Sequence, residues 1–291
     1  MPFIKNYDMK KIKILVAQHK SSNVYSNDVY TPIHVGKALS DEDLCSLKDN
    51  TGDNISNLNP YFCELTAQYW AWKNMPDVEY IGLCHYRRYF MKEFSDYNID
   101  KEMEDYDIIL SKKYYLNQNL LSFLAEKLTP EDVDLFFLYM SQLCKNDISI
   151  FNKFYMHQNW LNPANMFVCR KQLFNEFCEW QFKILDDLFQ IIPLSPYTRG
   201  KRLMGYFAET LLPFYAELKK LKIKEEPIVS MLGNDERVLS QSIKEICKNK
   251  LIFLLKNYPY HISSDRLTGL TKDGLINKIN NHFAQTENTH R

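Results

Sequence analysis

The stretch Tyr80-Ile-Gly-Leu-Cys-His-Tyr-Arg-Arg-Tyr-Phe90 runs apolar and then stops on His85, Arg87 and Arg88. A short apolar run of this kind reads as a buried strand, so its end sets two fixed cations and a titratable ring at a sheet edge. A guanidinium presents a planar fork of donors that matches phosphate oxygens. Such groups neutralise the charge that grows on a departing diphosphate, and they do so where no metal is held. Alternation along an extended chain points Arg87 and Arg88 to opposite sides, so at most one need face a ligand. The plainer reading makes both of them surface or salt-bridging residues.

Three further segments carry groups suited to a nucleotide or a sugar. Asn50-Thr-Gly-Asp-Asn-Ile-Ser-Asn57 offers Asp53 and Asn54 to ribose or sugar hydroxyls, although the same residue types make ordinary turns. His157-Gln-Asn-Trp-Leu-Asn-Pro-Ala-Asn-Met166 crowds polar groups before another apolar run. There Asn162 and Asn165 suit hydroxyls and Trp160 suits the face of a sugar ring, while a capped loop has the same composition. The segment from Arg199 to Leu211 sets Glu209 near the start of a helix. A carboxylate aimed at an acceptor hydroxyl is the general base an inverting glycosyl transfer needs, and a solvated surface glutamate is the alternative.

Metal ligation has little to work with. Asp-x-Asp triplets occur at Asp41-Glu-Asp43 and Asp105-Tyr-Asp107. The first follows no strand, and the second precedes an apolar run instead of following one. The place for an acidic pair, after Cys84, carries His85-Tyr-Arg87. The expectation is metal-independent charge stabilisation, with no metal ligands and no required cofactor. P-loop, GxGxxG and GxSxG patterns are missing from the sequence.

Positioning these groups requires an alternating α/β chain. Ile14 to Ala17, Tyr30 to Gly36, Tyr80 to Cys84, Ile108 to Leu110 and Met166 to Cys169 read as strands, the first led in by Lys10 to Lys13. Helices are expected from Asn59 or Pro60 to Lys73 (stopped by Asn74-Met-Pro-Asp77), within 119–160, from Lys171 to Ile192, and from Gly205 to Leu221. Residues 40–59 read as a loop. Polar residues at the carboxyl ends of strands in such a sheet are where open α/β folds bind ligands. Beyond 225 the chain reads as a mostly helical extension (226–291) on a catalytic domain (1–225). Within it, residues 239–256 form a basic amphipathic helix with Lys244, Lys248, Lys250 and Lys256. That helix either packs on the domain or touches a membrane surface. The polar tail beyond Gln285 reads as frayed.

Composition narrows the class. The 36 basic residues balance the 36 acidic ones, so no global field draws the chain to nucleic acid. Seven scattered cysteines, none spaced as CxxC, fit small buried thiols in a reducing cytoplasmic compartment. No apolar run approaches the length of a membrane span, and the first twenty residues carry no signal-peptide core. An aromatic share of 14% serves either a large core or carbohydrate contacts.

The segments KILVAQHK, TGDNIS, CELTAQYWAWKN and YIGLCHYRRYF, with NMFVCRKQLFNEFCEW and GYFAETLL, resemble a bacterial family of glycosyltransferase-like proteins. That family, formerly a domain of unknown function, occurs in capsular, exopolysaccharide and O-chain gene clusters. The resemblance runs from about residue 11 to 218 and leaves the region from about 222 unassigned. It implies a GT-A-like, Rossmann-type, mainly parallel sheet flanked by helices. It also implies a nucleotide-sugar donor, UDP-linked, with galactofuranose or another hexose as the sugar. On the matching positions His19, Asp53, Asn54, His85, Arg87 and Arg88 would line the donor site, and Asn165 and Glu209 would sit by the transferred sugar or the acceptor. Thr210 departs from the family, whose members usually carry Arg there, so any contact made by that Arg is missing.

The resulting expectation is a hexosyltransferase with Glu209, His85 and Arg88 as catalytic residues. Its donor contacts are His19, Asp53, Asn54, Arg87 and Asn165, and its acceptor contacts His157, Trp160 and Asn162. The acceptor is a growing surface glycan, lipid-linked in one version, met at the inner face of the inner membrane. Two other classes stay open: a non-catalytic carbohydrate-binding scaffold of a polysaccharide assembly complex, and a phosphotransferase using the same arginines.

Overall fold

The computed structural model describes residues 11–75, 78–195, 197, 200–232, 235–256 and 259–289. Lys10, the helix stop at Pro76-Asp77 and Arg199 lie outside them. The strands are β1 (Ile12–Gln18), β2 (Tyr30–His34), β3 (Leu47–Lys48), β4 (Tyr80–His85), β5 (Arg88–Phe90), β6 (Ile108–Ser111), β7 (Tyr114–Tyr115), β8 (Trp160–Leu161), β9 (Phe167–Arg170), β10 (Ile223–Glu226), β11 (Ile228–Leu232) and β12 (Asp235–Leu239). The helices are α1 (Asn59–Phe62), α2 (Leu65–Asn74), α3 (Ile99–Glu102), α4 (Leu120–Lys127), α5 (Pro130–Leu143), α6 (Ile148–Met156), α7 (Lys171–Ile191), α8 (Leu203–Leu218), α9 (Ile243–Lys256), α10 (Ser264–Lys272) and α11 (Leu275–Thr289).

The main sheet has the order β10-β6-β9-β4-β1-β2-β3. Its neighbours run parallel except at β9, which is antiparallel to both β4 and β6. The central strands β1, β4, β6 and β9 are mainly apolar because both of their faces are covered, whereas the edge strands β3 and β10 carry charged residues. In β1, Leu15 and Ala17 enter the larger core cluster with the helices, while Ile12, Ile14 and Val16 enter a second cluster with Phe90, Phe94, Ile99 and Met103. Alternation therefore separates one strand's residues between two cores. At Gly82 the strands β4 and β9 come so close that a Cβ would stand 2.7 Å from the Phe167 carbonyl oxygen.

All five strands expected from apolar runs are present, and the aromatic share is used mainly in the core, where Phe136 stacks on Phe207 with centroids 4.4 Å apart. Thr129 caps α5 as its sequence suggests, accepting from the Asp132 amide, with Pro130 in the first turn. Three features differ. The helix expected from Asn59 to Lys73 is two helices broken at Cys63, whose φ is 53°. The 225/226 boundary falls inside β10, which pairs with β6, and β11–β12 join the same sheet through β5. The tail beyond Gln285 continues α11 to Thr289. The last helices are anchored by Asp134 of α5, fully buried, which accepts from Arg266 Nε at 2.6 Å and from the Tyr260 hydroxyl at 2.5 Å. Among the described residues no helix is long and apolar enough to cross a membrane.

Candidate active site

The carboxyl ends of β1 and β4 open into a cleft of about 620 Å³. His19 and Lys20 follow β1, and His85 ends β4. Arg87 and Arg88 both line the cleft. Strand alternation does not hold across this stretch because residues 86–87 form the turn of a tight hairpin, in which His85 pairs with Arg88 across two strands. Arg87 folds back over the Tyr86 ring at 4.7 Å, and Arg88 begins β5. β5 is held in turn by β11, with Arg88 opposite Ser230, which also lines the cleft.

The break between α1 and α2 supplies two residues that reading the chain as one helix hides. The Asn59 side chain donates to the Cys63 carbonyl at 2.7 Å and to the Thr66 hydroxyl at 3.2 Å, fixing the turn. Glu64, the residue before α2, then faces the cleft. Its Oε1 accepts from Asn165 Nδ2 at 2.6 Å and lies 3.9 Å from His85 Nε2. Burial, then the charge of Glu64, pushes the Cys63 thiol up to about 12, so it stays protonated and is no nucleophile.

Glu209 comes from α8 and lines a narrow inner recess with Glu64, His85, Arg88 and Arg202. Opposite it, Ala164 and Asn165 adopt left-handed backbone, with φ of 77° and 49°. Such conformations in non-glycine residues persist only where surroundings over-determine them. Here the Ser111 hydroxyl donates to the Pro163 carbonyl at 2.8 Å, and Asn162 Nδ2 donates to the Ser111 carbonyl. The strained turn presents both polar groups of Ala164 to the site. Its amide donates to Glu209 Oε1 at 2.5 Å, and its carbonyl accepts from His85 Nε2 at 2.7 Å. A carbonyl can only accept, so Nε2 carries a proton and Nδ1 is the nitrogen left for other partners.

Burial holds the Glu209 carboxyl above its usual range, and the Glu64 charge adds to this. The Ala164 amide, Arg88 and Arg202 oppose it. Arg202, unseen in the sequence, sits in left-handed backbone (φ 67°) before α8, with its Nε donating to Cys63 Sγ at 3.4 Å. His19 stands edge-on to Tyr86. Burial, followed by Lys20 and Arg87, lowers its pKa, as expected in a cleft already rich in fixed positive charge.

The other sequence candidates lie elsewhere. Asp53 and Asn54 are not among the cleft's lining residues. The Asp53 carboxylate accepts from the Tyr69 hydroxyl, and Asn54 donates to the Gly52 carbonyl, so the loop satisfies itself. His157 is exposed at the end of α6, and Trp160 has Lys113 over its ring at 4.1 Å. Asn162 spends its donor on the β6 backbone. None of these three lines the cleft. Asn165 is buried behind the recess with Glu64, its Oδ1 unpaired. Thr210 is fully buried and donates to the Phe207 carbonyl, so its position turns away from the cleft. Asp43 is bound by Lys37 and Lys48, and Asp107 accepts the Lys222 amide. Among the described residues no group of three or more His, Cys, Asp or Glu is arranged to hold a metal ion.

A mainly parallel sheet with one reversed strand, carrying a cationic cleft at its carboxyl edge, defines a glycosyltransferase-like α/β protein. Residues 13–220 match the model of the domain of unknown function DUF4422, and the chain belongs to that family. No curated protein sequence matches it. Its structure is similar to the apo structure of WbbM, a bifunctional glycosyltransferase, with a TM-score of 0.70 and 31% identity. The similarity covers 78% of this chain and 46% of WbbM, so the chain spans about half of that structure.

Proposed function

We propose that this protein is a hexosyltransferase that moves a sugar from a UDP-sugar to a hydroxyl of a growing capsular or related surface glycan. The observation that carries the reading is the convergence of Arg87, Arg88 and Arg202 on a cleft whose inner recess holds the Glu209 carboxylate. The two parts match the two demands of the reaction. The diphosphate leaves with growing negative charge, which three guanidiniums and Lys20 neutralise, while His19 offers a ring nitrogen for a hydrogen bond. Glu209 takes the proton of the acceptor hydroxyl as its oxygen bonds to the anomeric carbon and the bond to the diphosphate breaks. Asn165, buried behind the recess, holds the Glu64 carboxylate in place through its Nδ2. The similarity to WbbM supports this class of chemistry.

The acceptor is lipid-linked in this reading, and the enzyme works in the cytoplasm at the inner face of the inner membrane. The test is a melting-temperature screen against UDP, GDP, CMP and dTDP with and without divalent metal, followed by UDP release from UDP-hexoses with a glycan acceptor. A ligand that binds the native state raises its stability by mass action. Stabilisation by UDP, with UDP release that Arg88→Ala abolishes, is the expected result. Glycan binding without nucleotide affinity would instead establish the scaffold reading.

A further inference from the structure

Helix α9 is built inside out relative to an ordinary surface helix. At about 100° per residue, Ile243, Cys247, Leu251, Leu254 and Leu255 fall within roughly 120° of arc. That arc faces away from the protein: Ile243 is 82% exposed, Leu251 57%, and Leu254 and Leu255 74% each. Val238 and Leu239, at the end of β12, are also exposed. The inward side carries polar attachments instead. Gln241 exchanges two hydrogen bonds with the Tyr115 backbone, Asn249 donates to the Tyr115 carbonyl at 2.8 Å, and Phe253 is the one buried large residue of the helix.

Charge accompanies the apolar arc. The helix carries four lysines and a single acid, Glu245. Lys244 and Lys248 are exposed on the arc's own side, and Lys250, over the Tyr115 ring at 4.2 Å, flanks its other edge. An apolar strip edged by cations fits the boundary between acyl chains and anionic headgroups, where apolar area and electrostatic attraction act together. A groove on another protein would not call for lysines within and on both sides of the strip.

We infer that the exposed arc of α9 is a docking surface for an anionic lipid bilayer. This deepens the reading above by giving the membrane-borne acceptor a place to be met. The chain runs from β11, whose Ser230 lines the cleft, through β12 directly into α9, so the docked surface and the cleft share one connected segment.

The test is flotation of the full chain with vesicles of phosphatidylethanolamine and phosphatidylglycerol, against vesicles of phosphatidylcholine alone. The unmodified chain should float with the anionic vesicles and less with the neutral ones. The triple variant Leu251→Ser/Leu254→Ser/Leu255→Ser should lose at least about tenfold in partitioning, because those side chains would otherwise be immersed. Lys244→Glu/Lys248→Glu should lose severalfold, most at low salt. All these positions are exposed, so unchanged melting temperature and unchanged stabilisation by UDP confirm folding. Those readouts also separate a failure here from a failure of the donor-site reading. No flotation of the unmodified chain at low salt, or equal flotation of the triple variant, overturns the inference. Sedimentation of the unmodified chain as a dimer that the triple variant dissociates, without flotation, would assign the face to a second copy and overturn it equally.

Discussion

His85 and Glu209 are joined through a single residue: one donates to the carbonyl of Ala164, the other accepts from its amide. The ring and the carboxylate come from a strand and a helix far apart in sequence, and a turn in left-handed backbone fixes their relative placement. The two hydrogen bonds are made by the successive peptide groups on either side of the Ala164 Cα, so the turn's conformation sets the placement of both side chains.

Glu209→Gln should lower kcat by about 10²- to 10⁴-fold, the usual worth of a general base, with UDP affinity nearly unchanged. The acid limb of the unmodified enzyme's kcat/KM profile should fall above the ordinary carboxylate range, because burial raises this group. Retention of that limb in the Gln variant would assign it to another residue.

The same group has a stability consequence of definite sign. The folded protein holds the Glu209 proton more tightly than the unfolded chain does. Its stabilising contribution is therefore present below the unfolded pKa and is lost as pH rises through the folded one. Glu209→Gln should melt higher than the unmodified protein at neutral pH, with the gap closing in acid. A lower melting temperature at neutral pH would contradict this.

Arg202→Ala should weaken UDP binding by about ten- to a hundredfold, the value of a charge-assisted hydrogen bond or two. Arg202→Lys should recover little of it, since an ammonium lacks the guanidinium fork. Isothermal titration at low and moderate salt reads both. An unchanged Kd in the Ala variant removes Arg202 from the donor site.

Ala164→Gly keeps both backbone hydrogen bonds and accepts φ of 77° without strain, so it should remain active and gain at most about 1 kcal/mol. Ala164→Val should lose roughly 1–2 kcal/mol or more and most of its turnover, because a branched side chain resists the left-handed region. Equal activity of the two variants would show that the turn's conformation is irrelevant to chemistry.

Gly82→Ala tests the sheet. The added methyl would meet the Phe167 carbonyl oxygen at 2.7 Å and Val168 Cγ2 at 2.9 Å, and the backbone cannot yield cheaply. A loss of about 1–3 kcal/mol is expected from overpacking of this kind, read by denaturant unfolding.

Much of this architecture can be read from residue patterns, and the exceptions have causes. β1, β4 and β9 are legible because both faces are buried and the runs are continuously apolar. His85, Arg87 and Arg88 are legible as a group because they interrupt such a run. The facing of Arg87 is not, since a turn at 86–87 replaces the extended chain that alternation assumes. Glu64 is hidden because CELTAQYWAWKN has the pattern of an unbroken helix, while the break depends on the side chain of Asn59. Arg202 is hidden because left-handed backbone at an arginine has no sequence signature. Trp160 misleads in the opposite direction, its stacking face being taken by Lys113. The β11–β12 pair carries a partial signal, a Gly-Asn dipeptide after the β-prone run Ile228 to Leu232, but the charged Asp235-Glu-Arg that follows masks the second strand.

The ladder between β5 and β11 joins residues 88–90 to residues 228–230. On the other side β5 has a single pairing, His85 with Arg88. During synthesis the chain emerges from its N-terminus, so Arg88 leaves the ribosome long before the strand that steadies it. The sheet from β1 to β9 can form by then, but the arginine edge of the cleft is finished only after residue 230 has appeared. Assembly order thus leaves the cleft of a nascent chain unfinished until the segment leading into α9 exists.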